Sequence, residues 1–100
     1  MSHPLGSLAD NLATYAIYAT AQAEMRRAYT LIDAADYLAA AAEIDSAARA
    51  AAVLANASAG VAGERVEHWH RVAGTRRRFA ERVRAHVAQL STTQPQLVAA

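Results

Sequence analysis

Residues 8–32 read LADNLATYAIYATAQAEMRRAYTLI, and no glycine or proline interrupts the chain from there until Gly60. Within this stretch and just ahead of it, Leu5, Leu8, Leu12, Tyr15, Tyr18, Gln22, Met25, Tyr29 and Ile32 recur at spacings of three and four. An α-helix turns once every ~3.6 residues, so this spacing lines the large side chains along one side, as a helix does where it packs on another. Ser7 followed by Asp10 resembles a capping box with Asp in place of Glu, so the helix is expected to start near Leu8.

Past Ile32 the large residues thin out to Tyr37, Leu38, Ile44, Val53 and Leu54 among runs such as Ala39-Ala40-Ala41-Ala42. Thr30 with Asp33, or Asp33 with Asp36, offers a cap for a second helix. One helix of about fifty residues would run ~75 Å, so two helices are expected, with a long kinked helical hairpin as the alternative. Alanine on the facing side lets a neighbouring helix come close. The clearest break is Asn56-Ala57-Ser58-Ala59-Gly60. After it, Val61, Trp69, Val72, Phe79, Val83, Val87 and Leu90 share one stripe at about 100° per residue. Pro95 and the polar residues before it are expected to end that helix. The fold expected is all-α, a small three-helix bundle over about 8–29, 32–57 and 61–90. It forms a single domain at 8–90, with a lead-in at 1–7 and a flexible tail at 91–100.

Composition narrows the function classes. The chain has 100 residues, enough for one domain, and 54% are hydrophobic. Much of that share is alanine, which favours helix and buries little surface per residue. There is no cysteine, which excludes disulfides and thiolate chemistry. No uncharged stretch, such as that between Arg49 and Glu64, reaches the ~18 residues of a membrane span. The start Met1-Ser2-His3-Pro4 lacks the basic and apolar regions of a signal peptide, so a cytoplasmic location is expected. All ten basic residues are arginine, seven of them within residues 61–90 beside three acids, whereas residues 1–60 carry six acids against three arginines. Such an asymmetry marks a nucleic-acid surface or two halves that pack on each other. Asp45–Arg49, Glu67–Arg71 and Arg77–Glu81 are spaced to support exposed helix faces.

The candidate sites are few. Glu67 and His70 have the Glu-x-x-His spacing of helical metal sites, but they project opposite Trp69 and Phe79, and no metal or other cofactor is expected. Serine occurs in no Gly-x-Ser-x-Gly elbow, and no glycine-rich phosphate loop exists, so a non-enzymatic role is the expectation. Residues 55–71 have the glycine-and-apolar pattern of a helix-turn-helix, with Arg71, Arg76, Arg77, Arg78 and Arg82 as the basic residues that nucleic acid would meet. Against it, Asn56 stands where a small residue is usual, and Gly63 weakens the start of a recognition helix. Arg65 and Arg76 fall in the middle of the apolar stripe beside Trp69. They either pair with acids such as Glu24, Asp36 or Glu43 across the bundle or lie on a face left open for a partner. Tyr15, Tyr18 and Tyr29 beside Met25 occupy positions where a plain core uses leucine, and tyrosine is common at interfaces.

These readings favour a helical protein–protein interaction module, either a self-associating homo-oligomeric bundle or an adaptor for a partner helix. Its interface residues would be Tyr15, Tyr18, Met25, Tyr29, Trp69, Arg65 and Arg76. The alternative is DNA binding through 55–71 and the arginine run.

Overall fold

The computed structural model describes residues 3–99, with side chains to Thr92. It is a three-helix bundle with α1 at Leu12–Asp33, α2 at Tyr37–Ser58 and α3 at Val66–Ala99, and two short 3-10 turns at Gly6–Asp10 and Gly63–Arg65. Among the described residues there is no strand. The molecule measures 60 × 21 × 21 Å, and helices of ~33 Å and ~51 Å at 1.5 Å per residue fit that cross-section only lengthwise. The chain therefore runs up, down and up, with α1 parallel to α3, and α3 extends beyond its shorter neighbours.

The buried seam is made of small residues. Helix α2 buries Ala40, Ile44, Ala47, Ala51, Leu54 and Ser58 at alternating four and three, with Ala41, Ala48 and Ala55 alongside. Helix α1 answers with Thr14, Ala21 and Ala28, each seven apart, and α3 with Trp69, Ala73, Ala80 and Val83. Methyl groups hold backbones apart very little, so α2 lies close against both neighbours. The Ser58 hydroxyl, buried with them, donates to the Leu54 carbonyl at 2.8 Å.

This arrangement corrects the expected seam of α1. Leu12 is 86% exposed and Tyr29 55%, because the position facing α2 is taken by the alanine stripe and the large side chains fall to its flank. Leu5 and Leu8 precede the helix and are buried against Leu54, Ala55 and Trp69, closing one end of the core. The chain reaches them through Gly6, whose φ of +60° is left-handed and whose Cα faces Arg65.

Element boundaries also shift for local reasons. Asn11, rather than Ser7, caps α1, its side chain accepting from the Thr14 N–H at 3.0 Å. Neither Thr30 nor Asp33 caps α2, since both lie within α1, where the Thr30 hydroxyl donates to the Arg26 carbonyl. Helix α1 ends instead at a turn in which Asp36 N–H donates to Leu31 O at 2.8 Å and Ala35 N–H to Ile32 O at 2.9 Å. That paired closure places Ala35 at φ 60° where glycine is usual, at a cost of about 1 kcal/mol. Three residues separate the helices there, so the hairpin alternative of one kinked helix is set aside.

Helix α3 starts five residues later than expected, and Val61 is 64% exposed in the turn before it. The Ser58 carbonyl holds that turn by accepting from both Val61 and Ala62 N–H groups. The helix continues past Leu90 through Ala99, and the Thr92 hydroxyl is satisfied by the Ala88 carbonyl at 2.9 Å. The tail expected at 91–100 is thus helical backbone through Ala99, and its side chains beyond Thr92 lie outside the described residues.

Candidate docking groove between the first and third helices

With α2 filling one side of the bundle, the opposite side is left to stripes that face no third helix. On α1 the stripe is Tyr18, Gln22, Met25, Tyr29 and Ile32. On α3 it is His68, Val72, Thr75, Phe79, Arg82 and His86. Both keep the four-three alternation of a helix-packing surface, and together they line a groove along the molecule. The walls touch at intervals and not along a continuous seam. Tyr18 meets Trp69 edge-on at 6.0 Å between ring centroids, and Tyr29 meets Phe79 at the same separation. Beyond Tyr18, His3, Tyr15 and Tyr18 form an aromatic cluster with centroids 5.0–6.0 Å apart. At the other end Tyr37 stands edge-on to His86 at 4.9 Å.

Arg76 ties the groove floor to the core. It occupies the position that the α3 seam of Trp69, Ala73, Ala80 and Val83 would otherwise give to an apolar residue. Its Nη1 donates to the Ala47 carbonyl at 2.9 Å and its Nη2 to Gln22 Oε1 at 3.2 Å, so one guanidinium joins all three helices. Burial disfavours its charge, and the nearby Glu24 carboxylate leads the groups that offset this. Among the described residues no carboxylate pairs with it directly: Glu24 accepts from the Ser46 hydroxyl and Glu43 pairs with Arg27. Among the described residues Arg65 is also without an acid, and its Nε and the neighbouring Trp69 Nε1 are buried with no hydrogen-bond partner.

The groove's charge is one-sided. No aspartate or glutamate lines it, and every arginine and histidine that does stands on α3: His68, Arg71, Arg76, Arg82 and His86. The α1 wall adds Gln22, Met25, Tyr29 and Ile32, none of them charged. Among the described residues the only ion pairs are Arg27–Glu43 and Arg84–Asp45, so Arg71 and Arg82 make none. Asp45 turns to Arg84 instead of Arg49, and Glu67–Arg71 and Arg77–Glu81 do not close either. Among the described residues one ion pair, Arg84–Asp45, joins the acidic half of the chain to the basic half. His68 is held below its ordinary pKa by desolvation, with the positive charges of Arg71 and Arg65 acting the same way.

The structure divides the residues singled out from sequence. Met25, Tyr29 and Arg76 line the groove, Tyr18 and Tyr15 sit in the aromatic cluster at its end, and Trp69 is core at 3% exposure. Arg65 precedes α3 and faces Gly6. Of the five arginines grouped for nucleic acid, Arg71 and Arg82 are at the groove and Arg78 lies beside Arg82. Arg76 is partly buried in the bundle, and Arg77 shares the helix side of Arg84, which reaches α2. The segment 55–71 joins two helices lying side by side, whereas a helix-turn-helix crosses at roughly 90–120°. Val72, Phe79, His68 and His86 were not singled out as interface residues. Their signal was the second four-three stripe on α3, adjacent to the apolar one and interrupted by basic residues.

Glu67 and His70 are exposed, and no group of three His, Cys, Asp or Glu among the described residues could hold a metal ion. The groove offers shape, apolar surface and positive charge. No helix among the described residues is long and apolar enough to cross a membrane. Comparison with protein-family models, curated proteins and solved structures finds no match to this chain.

Proposed function

We propose that this protein is a non-enzymatic helical interaction module and that the groove between α1 and α3 receives a helix. The observation that carries this reading is the pair of parallel four-three stripes on the side away from α2. A helix laid between them would meet the same periodicity on both walls, as the fourth member of a bundle does. The groove's apolar residues are half-buried rather than sealed, so an incoming helix has surface left to bury. The cytoplasm remains the proposed location on the sequence reading.

The occupant is either a second copy or a different protein, and sedimentation at micromolar concentration separates the two. A concentration-dependent dimer that is lost in Thr75→Trp, which fills the exposed groove floor, supports self-association. A monomer that induces helix in an added amphipathic peptide, seen by circular dichroism, supports the adaptor form. A monomer that binds no amphipathic helix refutes the proposal.

A further inference from the structure

We infer that the occupant of the α1–α3 groove is an amphipathic helix from another protein, carrying acidic residues along the one edge that faces α3. This rests on the helix-docking reading above and adds the partner's chemistry to it. The basis is charge complementarity. The α3 wall places Arg71 at one end and Arg82 about three turns further on, with Arg76 between them in the floor, and the α1 wall carries no charge. Among the described residues Arg71 and Arg82 have no acidic partner. A helix seated there therefore meets positive charge on one edge and tyrosine, glutamine and methionine on the other.

Length follows from the same walls. From His68 to His86 the α3 stripe spans about five turns, ~27 Å at 1.5 Å per residue, so the occupant is a helix of roughly 18–20 residues. Its apolar face meets Met25, Val72 and Phe79 on the floor. A second copy is disfavoured by the same charge argument, because the corresponding face of another copy brings more arginine and no groove-lining carboxylate.

The test uses the full chain and three synthetic peptides of about 20 residues with leucine at alternating three and four spacing. They differ along one edge, which is Glu, Gln or Lys, and a duplex DNA oligonucleotide serves as a fourth probe. Fluorescence anisotropy should show the Glu-edge peptide binding about tenfold tighter than the Gln-edge peptide at low salt, the margin shrinking as salt rises. The double variant Arg71→Glu, Arg82→Glu changes two exposed, unpaired side chains, and circular dichroism checks that it folds as the parent does. It should lose the preference for Glu and prefer the Lys-edge peptide.

Equal binding of the Glu-edge and Gln-edge peptides overturns the acidic partner. If that equal binding is abolished by Thr75→Trp, helix docking itself stands. Failure of every peptide refutes both. Tighter binding of the duplex than of the Glu-edge peptide, lost in the same double variant, assigns the basic wall to nucleic acid and also overturns the inference.

Discussion

The two sides of α2 and the side opposite it are built on different principles. Where α2 meets its neighbours, alanines at heptad spacing bring backbones together and are themselves buried. Across the bundle, where α1 and α3 face each other, Tyr29, Phe79, Met25 and Arg82 are too large and too polar to interlock, and the helices stand apart around a groove. Packing density, not side-chain size, thus decides which seam is core. A seam of large residues is free to serve a partner when a seam of small ones already holds the helices.

The sharpest way to break this comparison is to remove the one large aromatic on the sealed side. Trp69 is 3% exposed and packs with Leu5, Leu8 and Leu54, so Trp69→Ala should destabilise by about 3–5 kcal/mol in denaturant titration. In so small a domain that approaches complete unfolding. A parent-like midpoint would remove Trp69 from the core.

A second contrast sets overpacking against truncation. Ala51 is fully buried where α2 meets the Trp69 cluster, so Ala51→Leu forces helices apart and should cost about 1–3 kcal/mol. Tyr29→Ala deletes far more volume from a residue that is 55% exposed, yet should cost under about 1 kcal/mol. Thermal melts of the two variants side by side give the order, and a reversed order would place the core between α1 and α3.

Arg76 lies where the two regions meet. Its partners are a backbone carbonyl and a neutral amide, so Arg76→Leu strands no buried carboxylate and should leave stability within about 1 kcal/mol of the parent. A loss of several kcal/mol in urea titration would mean that the guanidinium balances a charge, with Glu24 the nearest candidate.

The smallest effect is electrostatic. His68 at the groove wall is held below its ordinary value of 6.5 by desolvation and then by Arg71 and Arg65. It binds its proton less readily folded than unfolded, so its share of stability is complete above pH 6.5 and is lost as pH falls through the lowered folded value. His68→Gln should flatten the fall in Tm between about pH 7.5 and about pH 5.5. An unchanged slope would show that His68 is solvated as in the unfolded chain.

Much of the architecture was legible in the sequence, and the difference lay in which periodicity governed. Three helices followed from the breaks near Ile32 and Gly60 and from the four-three spacing. The stripe of α3 correctly placed Trp69 and Val83 inside. The spacing of Leu12, Tyr15 and Tyr29 reads as the packing seam because large apolar residues dominate a helical wheel. Thr14, Ala21 and Ala28 run along its flank at seven-residue intervals, and in an alanine-rich chain that quieter pattern gives no contrast. The left-handed Ala35 turn was hidden because it lacks the glycine that usually marks such a position, whereas Asn11 is as good a cap residue as serine and competes with the Ser7–Asp10 pair a turn earlier. The groove itself could not be read from either stripe alone. It exists only because the chain runs α1 and α3 in parallel on one side of α2.

The most direct test of the sealed and open sides is NMR with a soluble paramagnetic agent, which broadens signals according to solvent access. Strong broadening of the Tyr29 ring and the Leu12 methyls is expected, with protection of the Ala41, Ala47 and Ala51 methyls, which are 0% exposed. Protected Tyr29 together with broadened Ala47 would contradict it.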